Sequence, residues 1–341
     1  MSLTGHKKPR APARLSARDA VKAALAPYKS DLDKTEEALR GYYQSDVAYV
    51  PLISGHLIGG GGKRLRPLLV IVSSHLCGYR GEAHIDLSVV VEFIHAATLL
   101  HDDVVDSSNL RRGSVSANIK YGNQASVLTG DFLFAQAFTI MSRAADIGVV
   151  RLVSEVTRTL AEGELLQLGS TWDLATTEER YLDTIYRKTA ALIAACCRIG
   201  ARLGGATAER EAALGEFGAK IGFAFQLMDD LLDYSAKDAG WGKPLGADLA
   251  EGKVTLPVIL ALRQADTADR AVIEHAFAQG TERVALAEAL EVINRRGALE
   301  ATRAMAQKFV AEAKAALDVF EPSAPREALR ALADFVIERE A

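Results

Sequence analysis

Residues 87–106 read LSVVVEFIHAATLLHDDVVD, an apolar stretch that runs into an acidic cluster. The run is the most hydrophobic helix candidate of the chain, but ionisable residues interrupt it, namely Glu92, His95, His101, Asp102 and Asp103. A helix that spans a lipid bilayer tolerates such side chains only at a high cost in free energy. The stretch therefore predicts a helix of a soluble protein.

The pattern Asp-Asp-x-x-Asp that ends this stretch occurs a second time, far along the chain. We call the two groups the first cluster (Asp102, Asp103, Asp106) and the second cluster (Asp229, Asp230, Asp233). Because residues one helical turn apart share a face, the first and last aspartates of each cluster project together. If the two helices face each other, six carboxylates converge and need a cation between them. Mg²⁺ prefers a few carboxylates together with phosphate oxygens, so the clusters predict a metal-bound diphosphate.

The alternative is that both clusters are solvated helix faces, as most aspartate runs are. The neighbouring residues argue against it, because each cluster is flanked by apolar side chains, Leu99, Leu100, Val104 and Val105 in the first case and Leu227, Met228, Leu231 and Leu232 in the second. Neither cluster is therefore expected on a wholly polar surface.

The remaining sequence predicts helices nearly everywhere, since apolar residues recur at spacings of three and four and strand signals are weak. The predicted helices lie near residues 15–28, 31–45, 64–77, 86–107, 123–144, 149–169, 178–203, 207–234, 254–264, 269–278, 282–294, 297–317 and 324–339. This pattern predicts an all-α fold, a single-domain bundle of about a dozen helices over residues 15–341.

Composition narrows the classes of function. With 341 residues, 49% of them hydrophobic and 25% charged, the chain has the make-up of a soluble globular protein. A net charge of −4 offers no concentrated basic face for nucleic acid. Three cysteines show neither metal-ligand spacing nor a disulfide framework. Residues 1–14 lack an apolar run and are predicted to be a disordered basic tail without a signal peptide.

Cationic residues occur where a diphosphate site would need them. Lys63 and Arg66 open a predicted helix, whose backbone amides would also attract phosphate. The segment is not a nucleotide-binding P-loop, because Arg64 stands where Ser or Thr should follow the lysine. Further candidate ligands of the diphosphates are Arg111 and Arg112 after the first cluster, Lys188, Lys243 and Lys253. For each lysine alone, a solvated surface position is an equally good interpretation.

Together these residues resemble the trans-isoprenyl diphosphate synthases, or polyprenyl synthetases. The motifs are GKRLRP at 62–67, HDDVVD at 101–106, RRG at 111–113, KT at 188–189 and QLMDDLLD at 226–233, and the resemblance spans most of the chain. It implies a helical bundle with a central cavity, usually a homodimer, that condenses an allylic diphosphate with isopentenyl diphosphate. It also implies a cytoplasmic enzyme with possible peripheral membrane contact.

The resemblance implies a role for each candidate residue. The six aspartates would hold three Mg²⁺ ions, with Mn²⁺ as a substitute, and the allylic diphosphate would be bound by Arg111, Lys188 and Lys253. Isopentenyl diphosphate would be bound by Lys63, Arg66, His95 and Arg112, while Thr189 and Gln226 would face the developing carbocation.

Product length depends on the residues that precede the first cluster. Thr98 and Ala97 lie four and five residues before Asp102 and are small, so they leave room for a long product. The absence of an insertion inside the first cluster is likewise typical of enzymes that make octaprenyl to decaprenyl diphosphate for ubiquinone and other quinone side chains. A farnesyl or geranylgeranyl diphosphate synthase is the alternative.

Three other classes of protein share part of this pattern. Glu92-x-x-His95 is half of a di-iron signature, but the sequence lacks the second half, and His95 could equally be a core histidine. A terpene cyclase would replace the second cluster with a mixed Asn/Asp, Ser/Thr and Glu motif. A non-catalytic partner subunit would usually lose part of a cluster, whereas this chain keeps both.

Overall fold

Helices make up almost all of the described chain in a computed structural model, which describes residues 17–59, 64–111, 113–235, 246–279 and 283–338. The predicted tail at 1–14 and three of the predicted ligands, Lys63, Arg112 and Lys243, lie outside these residues. The all-α prediction is confirmed.

The first half of the chain forms eight helices among the described residues: α1 (Ala17–Leu25), α2 (Lys29–Tyr42), α3 (Tyr49–Ile58), α4 (Leu65–Leu76), α5 (Ala83–Val105), α6 (Ala117–Tyr121), α7 (Asn123–Ala144) and α8 (Ile147–Leu168). The second half forms α9 (Glu178–Ile185), α10 (Ala191–Leu203), α11 (Ala208–Ser235), α12 (Ala247–Ala250), α13 (Leu256–Gln264), α14 (Thr267–Gln279), α15 (Arg283–Arg295), α16 (Ala298–Ala316) and α17 (Ala324–Ile337). A π-helical turn, Tyr186–Ala190, joins α9 to α10, and short 3₁₀ turns occupy Ala26–Tyr28 and Leu317–Val319.

The helix α5 lies in the middle of the bundle, because it is apolar on every side and must be covered on every side. It packs against α2, α4 and α7, while α11 packs against α10 and α16. Helix α10 contacts α4 and α11, so one continuous apolar core links both halves. Both acidic clusters lie at the C-terminal ends of core helices, the first on α5 and the second on α11.

A glycine allows α11 to approach the π-helical turn closely. A Cβ atom on Gly222 would lie 2.4 Å from the Cα atom of Ala190, so any larger residue would push the two segments apart. This contact sets the residues of the turn directly beside the second cluster.

Three short helices and one hairpin differ from the sequence prediction. Helices α3, α6 and α12 were not predicted, because α3 is apolar without a clear polar face and the other two are only one turn long. The strands β1 (Leu110–Arg111) and β2 (Ser114–Val115) form an antiparallel pair directly after the first cluster. Two residues per strand are too few to leave a period-two pattern in the sequence.

Helices α5 and α7 have the length and hydropathy that a membrane span requires. In α5, 72% of the apolar window is buried within the protein, and in α7 the share is 39%. The burial of α5 is that of a core helix.

Candidate active site

The first cluster is held at the end of α5 by an ion pair between Asp103 and Arg111. Asp103 is fully buried, and its Oδ1 atom accepts a 2.8 Å hydrogen bond from Nε of Arg111 on β1. The amide of Asn118 donates to the backbone carbonyl of Asp103 at 2.9 Å. Within the described part of the chain, the Oδ2 atom of Asp103 is buried and receives no hydrogen bond. A buried carboxylate oxygen without a donor is suited to a cation.

Asp102 lies beside this pair in a strongly acidic environment. Burial, together with the nearby carboxylates of Glu164 and Asp106, raises the pKa of Asp102 to about 7, although the charges of Lys188 and Arg111 lower it. This carboxyl group is therefore partly protonated near neutral pH when no cation is bound.

The second cluster has a buried aspartate of its own. Asp230 is 3% exposed, and its two oxygens accept hydrogen bonds from the hydroxyl of Tyr181 at 2.5 Å and from the amide of Gln226 at 2.8 Å. Burial, together with Asp248 and Asp229, raises the pKa of Asp230 to about 8, although both hydrogen bonds lower it. The two clusters thus show the same unfavourable concentration of negative charge.

The other aspartates of the second cluster lie on the same end of α11. Oδ2 of Asp233 accepts a 3.1 Å hydrogen bond from the backbone amide of Asp248, and its backbone carbonyl accepts one from Gly246 at 2.9 Å. These bonds fasten α12 to the end of α11 and bring Asp248 beside the cluster. Asp229 is close enough to Asp230 to affect its pKa.

The π-helical turn places two of the predicted residues in this site. The hydroxyl of Thr189 donates to Oε1 of Gln226 at 2.9 Å, so these residues form one chain of hydrogen bonds that ends at Asp230. The Nζ atom of Lys188 lies 2.8 Å from Oε2 of Glu164 and also bonds to the side chain of Gln167. Such π-helical turns occur mostly at functional sites, where they redirect side chains.

Two lysines lie between the clusters. Nζ of Lys253 is 3.2 Å from Oδ2 of Asp106 and 2.8 Å from a carboxylate oxygen of Glu251. Burial would lower the pKa of Lys253, but the charges of Asp106, Asp248 and Glu251 outweigh it and raise that pKa. Lys188, in turn, acts on Asp102 from a cavity that Asp230 also lines. Because Lys253 lines the same cavity, each lysine acts on the first cluster and shares a cavity with Asp230 of the second.

That cavity has a volume of about 170 Å³. Its charged and amide side chains come from α8, the π-helical turn, α11 and the segment around α12, and they are Gln167, Lys188, Gln226, Asp230, Asp248 and Lys253. Asp103 and Arg111 line a second, smaller cavity together with His56 and Ser114. One aspartate of each cluster therefore lines a cavity, Asp230 the larger one and Asp103 the smaller one.

Two of the residues predicted to bind isopentenyl diphosphate lie on α4 and α5. Arg66 lies in the first turn of α4, and His95 is half-buried near the middle of α5. Ala97 is fully buried, and the hydroxyl of Thr98 bonds to the backbone carbonyl of His95 at 2.8 Å.

Arg64 has a structural role that the sequence did not reveal. Arg64 has a left-handed backbone (φ 45°), and its guanidinium is buried between the carboxylates of Glu36 and Glu92. Nη1 of Arg64 lies 2.8 Å from Glu92, which accounts for the glutamate of the half di-iron signature. The triad fixes the point where the chain enters α4, next to Lys63 and Arg66.

Four residues at the site were missed by sequence reasoning, namely Glu164, Gln167, Tyr181 and Asp248. Glu164 and Gln167 are three apart on α8, a spacing that places both on one face and could have been noticed. Tyr181 and Asp248 left no such signal, because only the packing of α9 and α12 against α11 brings them to Asp230.

The comparison with known proteins identifies the family. Residues 48–293 match the family model for polyprenyl synthetases. The chain belongs to the polyprenyl synthetase family. This membership confirms the predicted family and the predicted class of enzyme, a prenyltransferase.

Individual polyprenyl synthetases resemble the chain over nearly its whole length. It is 42% identical to octaprenyl diphosphate synthase of Escherichia coli over 310 residues, which are 91% of this chain and 96% of that protein. It is 41% identical to a short chain isoprenyl diphosphate synthase of Methanothermobacter thermautotrophicus over 302 residues, covering 87% and 93%. A crystal structure of polyprenyl synthase from Caulobacter crescentus, complexed with calcium and isoprenyl diphosphate, superposes with a TM-score of 0.90 at 41% identity, covering 94% and 98%.

Proposed function

We propose that the chain elongates an allylic diphosphate by successive trans condensations with isopentenyl diphosphate, and that it makes a long-chain product of octaprenyl to decaprenyl length. The observation that carries this proposal is that Lys188 acts on Asp102 and Lys253 pairs with Asp106 of the first cluster, while both lysines line one cavity with Asp230 of the second. A family member of 42% identity that makes octaprenyl diphosphate supports the same product class.

We further propose that both clusters hold divalent metal, with three Mg²⁺ ions as the native set and Mn²⁺ as a substitute. Three features suit such ions: the buried Oδ2 atom of Asp103 without a donor, and the raised pKa values of Asp102 and Asp230. All the ligands offered are hard oxygens, which Mg²⁺ prefers. The calcium in the Caulobacter crescentus relative is in keeping with this preference. When bound, the metal supplies Lewis-acid activation of the leaving diphosphate.

The residues of the chain would do the rest of the work around that diphosphate. Lys188, Lys253 and Arg111 would hold its oxygens and balance the charge that develops as the carbon–oxygen bond breaks. The hydroxyl of Thr189 and the amide of Gln226 would present dipoles to the allylic cation. Because water would quench that cation, the apolar residues around both clusters are a chemical requirement as well as a packing one.

The second substrate would be held beyond the first cluster. We propose that Arg66 and His95, with Lys63, Arg112 and Lys243 from the segments outside the described residues, bind diphosphate oxygens, most of them those of isopentenyl diphosphate. The buried Arg64 triad would fix the backbone that carries Lys63 and Arg66. The double bond of isopentenyl diphosphate would then attack the allylic carbon, and the proton that the product loses would pass to the released diphosphate. Positioning of the two substrates would supply much of the rate.

The chain is further proposed to act as one domain over residues 15–341, as a cytoplasmic homodimer with peripheral membrane contact. Large apolar side chains remain exposed on α7 and α8 in the single chain, among them Leu128 (66%), Ile147 (73%) and Leu165 (69%). Apolar surface of this kind favours association with a second copy. Light scattering on the purified chain would measure the dimer directly.

The deciding experiment is incubation of the purified chain alone with an allylic diphosphate, isopentenyl diphosphate and Mg²⁺, followed by chromatography of the products. We expect products of about eight to ten isoprene units, which is the length of the proposed product class. No elongation is expected when a chelator is present. Products that stop at three or four units would instead support the short-chain alternative, for which the Methanothermobacter relative is the precedent. Activity that appears only after a second protein is added would support the partner-subunit alternative.

A further inference from the structure

A second group of metal-binding side chains lies at the opposite end of α5 from the first cluster. Asp31 in the first turn of α2, His75 in the last turn of α4 and His84 in the first turn of α5 direct their side chains to one point. Helix α5 has 23 residues and is therefore about 35 Å long. This group is accordingly far from the residues of the proposed reaction and does not depend on the proposed function.

The ligand atoms of the three side chains converge. Oδ2 of Asp31 lies 2.8 Å from Nε2 of His75 and 3.1 Å from Nε2 of His84, and all three atoms lie within 4.8 Å of one another. The two imidazole rings are nearly perpendicular, with an angle of 79° between their planes. Tetrahedral zinc, with bonds of about 2.0–2.2 Å, needs ligand atoms about 3.4 Å apart, so small side-chain rotations would suffice.

Hydrogen bonds among these three side chains leave His84 poorly satisfied. The His84 side chain is 6% exposed, and neither of its ring nitrogens makes a hydrogen bond of normal geometry among the described residues. Its Nε2 atom lies 3.1 Å from Oδ2 of Asp31, and the backbone of Gly81 is a further polar neighbour of the ring. A shared cation would satisfy a buried imidazole nitrogen that faces a carboxylate in poor hydrogen-bond geometry.

The charge states of His84 and Asp31 also suit a cation. Burial lowers the pKa of His84 and outweighs the opposing effect of Asp31, so this ring is neutral and its nitrogen lone pair is available at neutral pH. Burial would raise the pKa of Asp31, but the two histidines outweigh it and lower that pKa, so Asp31 is ionised. Imidazole nitrogens and a carboxylate are ligands typical of zinc.

We propose that Asp31, His75 and His84 form a zinc-type metal site that fastens the beginning of α2 to the junction between α4 and α5. The fourth ligand is water, which reaches the site because the His75 side chain is 29% exposed. Mg²⁺ is excluded by its preference for oxygen ligands, so the site is chemically distinct from the acidic clusters. Its role is to stabilise the end of the central helix.

The test uses the full-length protein without an affinity tag, stripped of metal with a chelator and returned to buffer that contains excess Mg²⁺. Zn²⁺ alone is then titrated by calorimetry, and the melting temperature is followed by scanning fluorimetry. We expect one Zn²⁺ per chain and a melting temperature about 4 °C higher at a hundredfold excess over Kd. The variants His84→Gln and His75→Gln should lose both effects, whereas the control His275→Gln, an exposed histidine on α14, should retain them.

Cobalt gives an independent readout that does not depend on the folding of a variant. Co²⁺ bound to the wild-type protein should show the intense visible bands of tetrahedral coordination, and Zn²⁺ should remove them. The proposal is wrong if Zn²⁺ binds equally well to His84→Gln, if no stoichiometric Zn²⁺ binds in excess Mg²⁺, or if Co²⁺ shows only the pale spectrum of octahedral oxygen ligands.

Discussion

The ammonium group of Lys253 lies 3.2 Å from the carboxylate of Asp106, although 147 residues separate them in the sequence. This ion pair joins the first cluster to the segment that follows the second. The ammonium group of Lys253 also neutralises part of the negative charge at the site, because it lies between the carboxylates of Asp106 and Glu251. The metal ions and the diphosphate are proposed to bind close to the same position.

Replacing Lys253 by methionine should weaken the binding and activation of the allylic diphosphate. The loss of one preorganised cation at a developing negative charge costs on the order of 10²-fold in kcat/KM. Steady-state kinetics with the allylic substrate varied would measure it. Lys308→Met, which removes an exposed lysine paired with Glu312, is the matched control and should leave kcat/KM unchanged. Equal kinetics for both variants would contradict the role of Lys253.

Tyr181→Phe removes the hydroxyl that donates to Asp230 and should reduce metal affinity without removing any ligand. Groups that orient a metal ligand through a hydrogen bond are worth about 10–100-fold in affinity. The Mg²⁺ concentration that gives half-maximal activity should rise accordingly. Tyr234→Phe is a close control, because that buried hydroxyl contacts Thr255 at 2.8 Å instead. If the Mg²⁺ requirement changes in the control but not in Tyr181→Phe, the hydrogen bond to Asp230 has no such role.

The metal-free protein should become less stable as pH rises toward 8. Burial gives Asp230 a pKa of about 8 in the folded state, against about 3.9 in an unfolded chain. Between these values the folded protein holds a proton that the unfolded chain has lost, so the free energy of unfolding falls as pH increases. Asp102, with a pKa of about 7, acts in the same direction.

Thermal melts in chelator from about pH 5 to about pH 8 would measure this dependence. We expect a shallower decline for Asp230→Asn, whose side chain does not titrate, and an unchanged decline for Asp318→Asn, an exposed control. Excess Mg²⁺ should flatten the wild-type curve. Identical slopes for wild type and Asp230→Asn in chelator would show that Asp230 carries no such proton.

Ala97→Phe should shorten the product, because Ala97 is fully buried on α5 below the first cluster and a phenyl ring there would fill space that a growing chain needs. Overpacking alone costs about 1–3 kcal/mol. Ala96→Phe is therefore the control, since the neighbouring buried residue points to another side of the helix. Product chromatography should show shorter chains for Ala97→Phe alone, and unchanged chain length would remove Ala97 from the product path.

Much of the fold followed from the sequence because helical periodicity is a local property. The long helices α5, α7 and α11 were predicted nearly to their ends, and α3 was missed because its apolar residues leave no polar face. The aspartates were recognisable because their spacing repeats. In contrast, Tyr181 and Arg64 act through partners that lie far away in the sequence, and only the packed structure places them there.

The central claim is that both clusters bind the metal ions of one diphosphate, and a double-mutant cycle tests it most directly. Calorimetry would measure the affinity of inorganic diphosphate in the presence of Mg²⁺ for the wild type, Asp103→Asn, Asp229→Asn and the double variant. We predict that each single change weakens binding strongly and that the double variant is little worse, with an interaction free energy of about 1–3 kcal/mol. Effects that simply add, or a single variant that binds as tightly as the wild type, would show that the clusters do not act on one ligand.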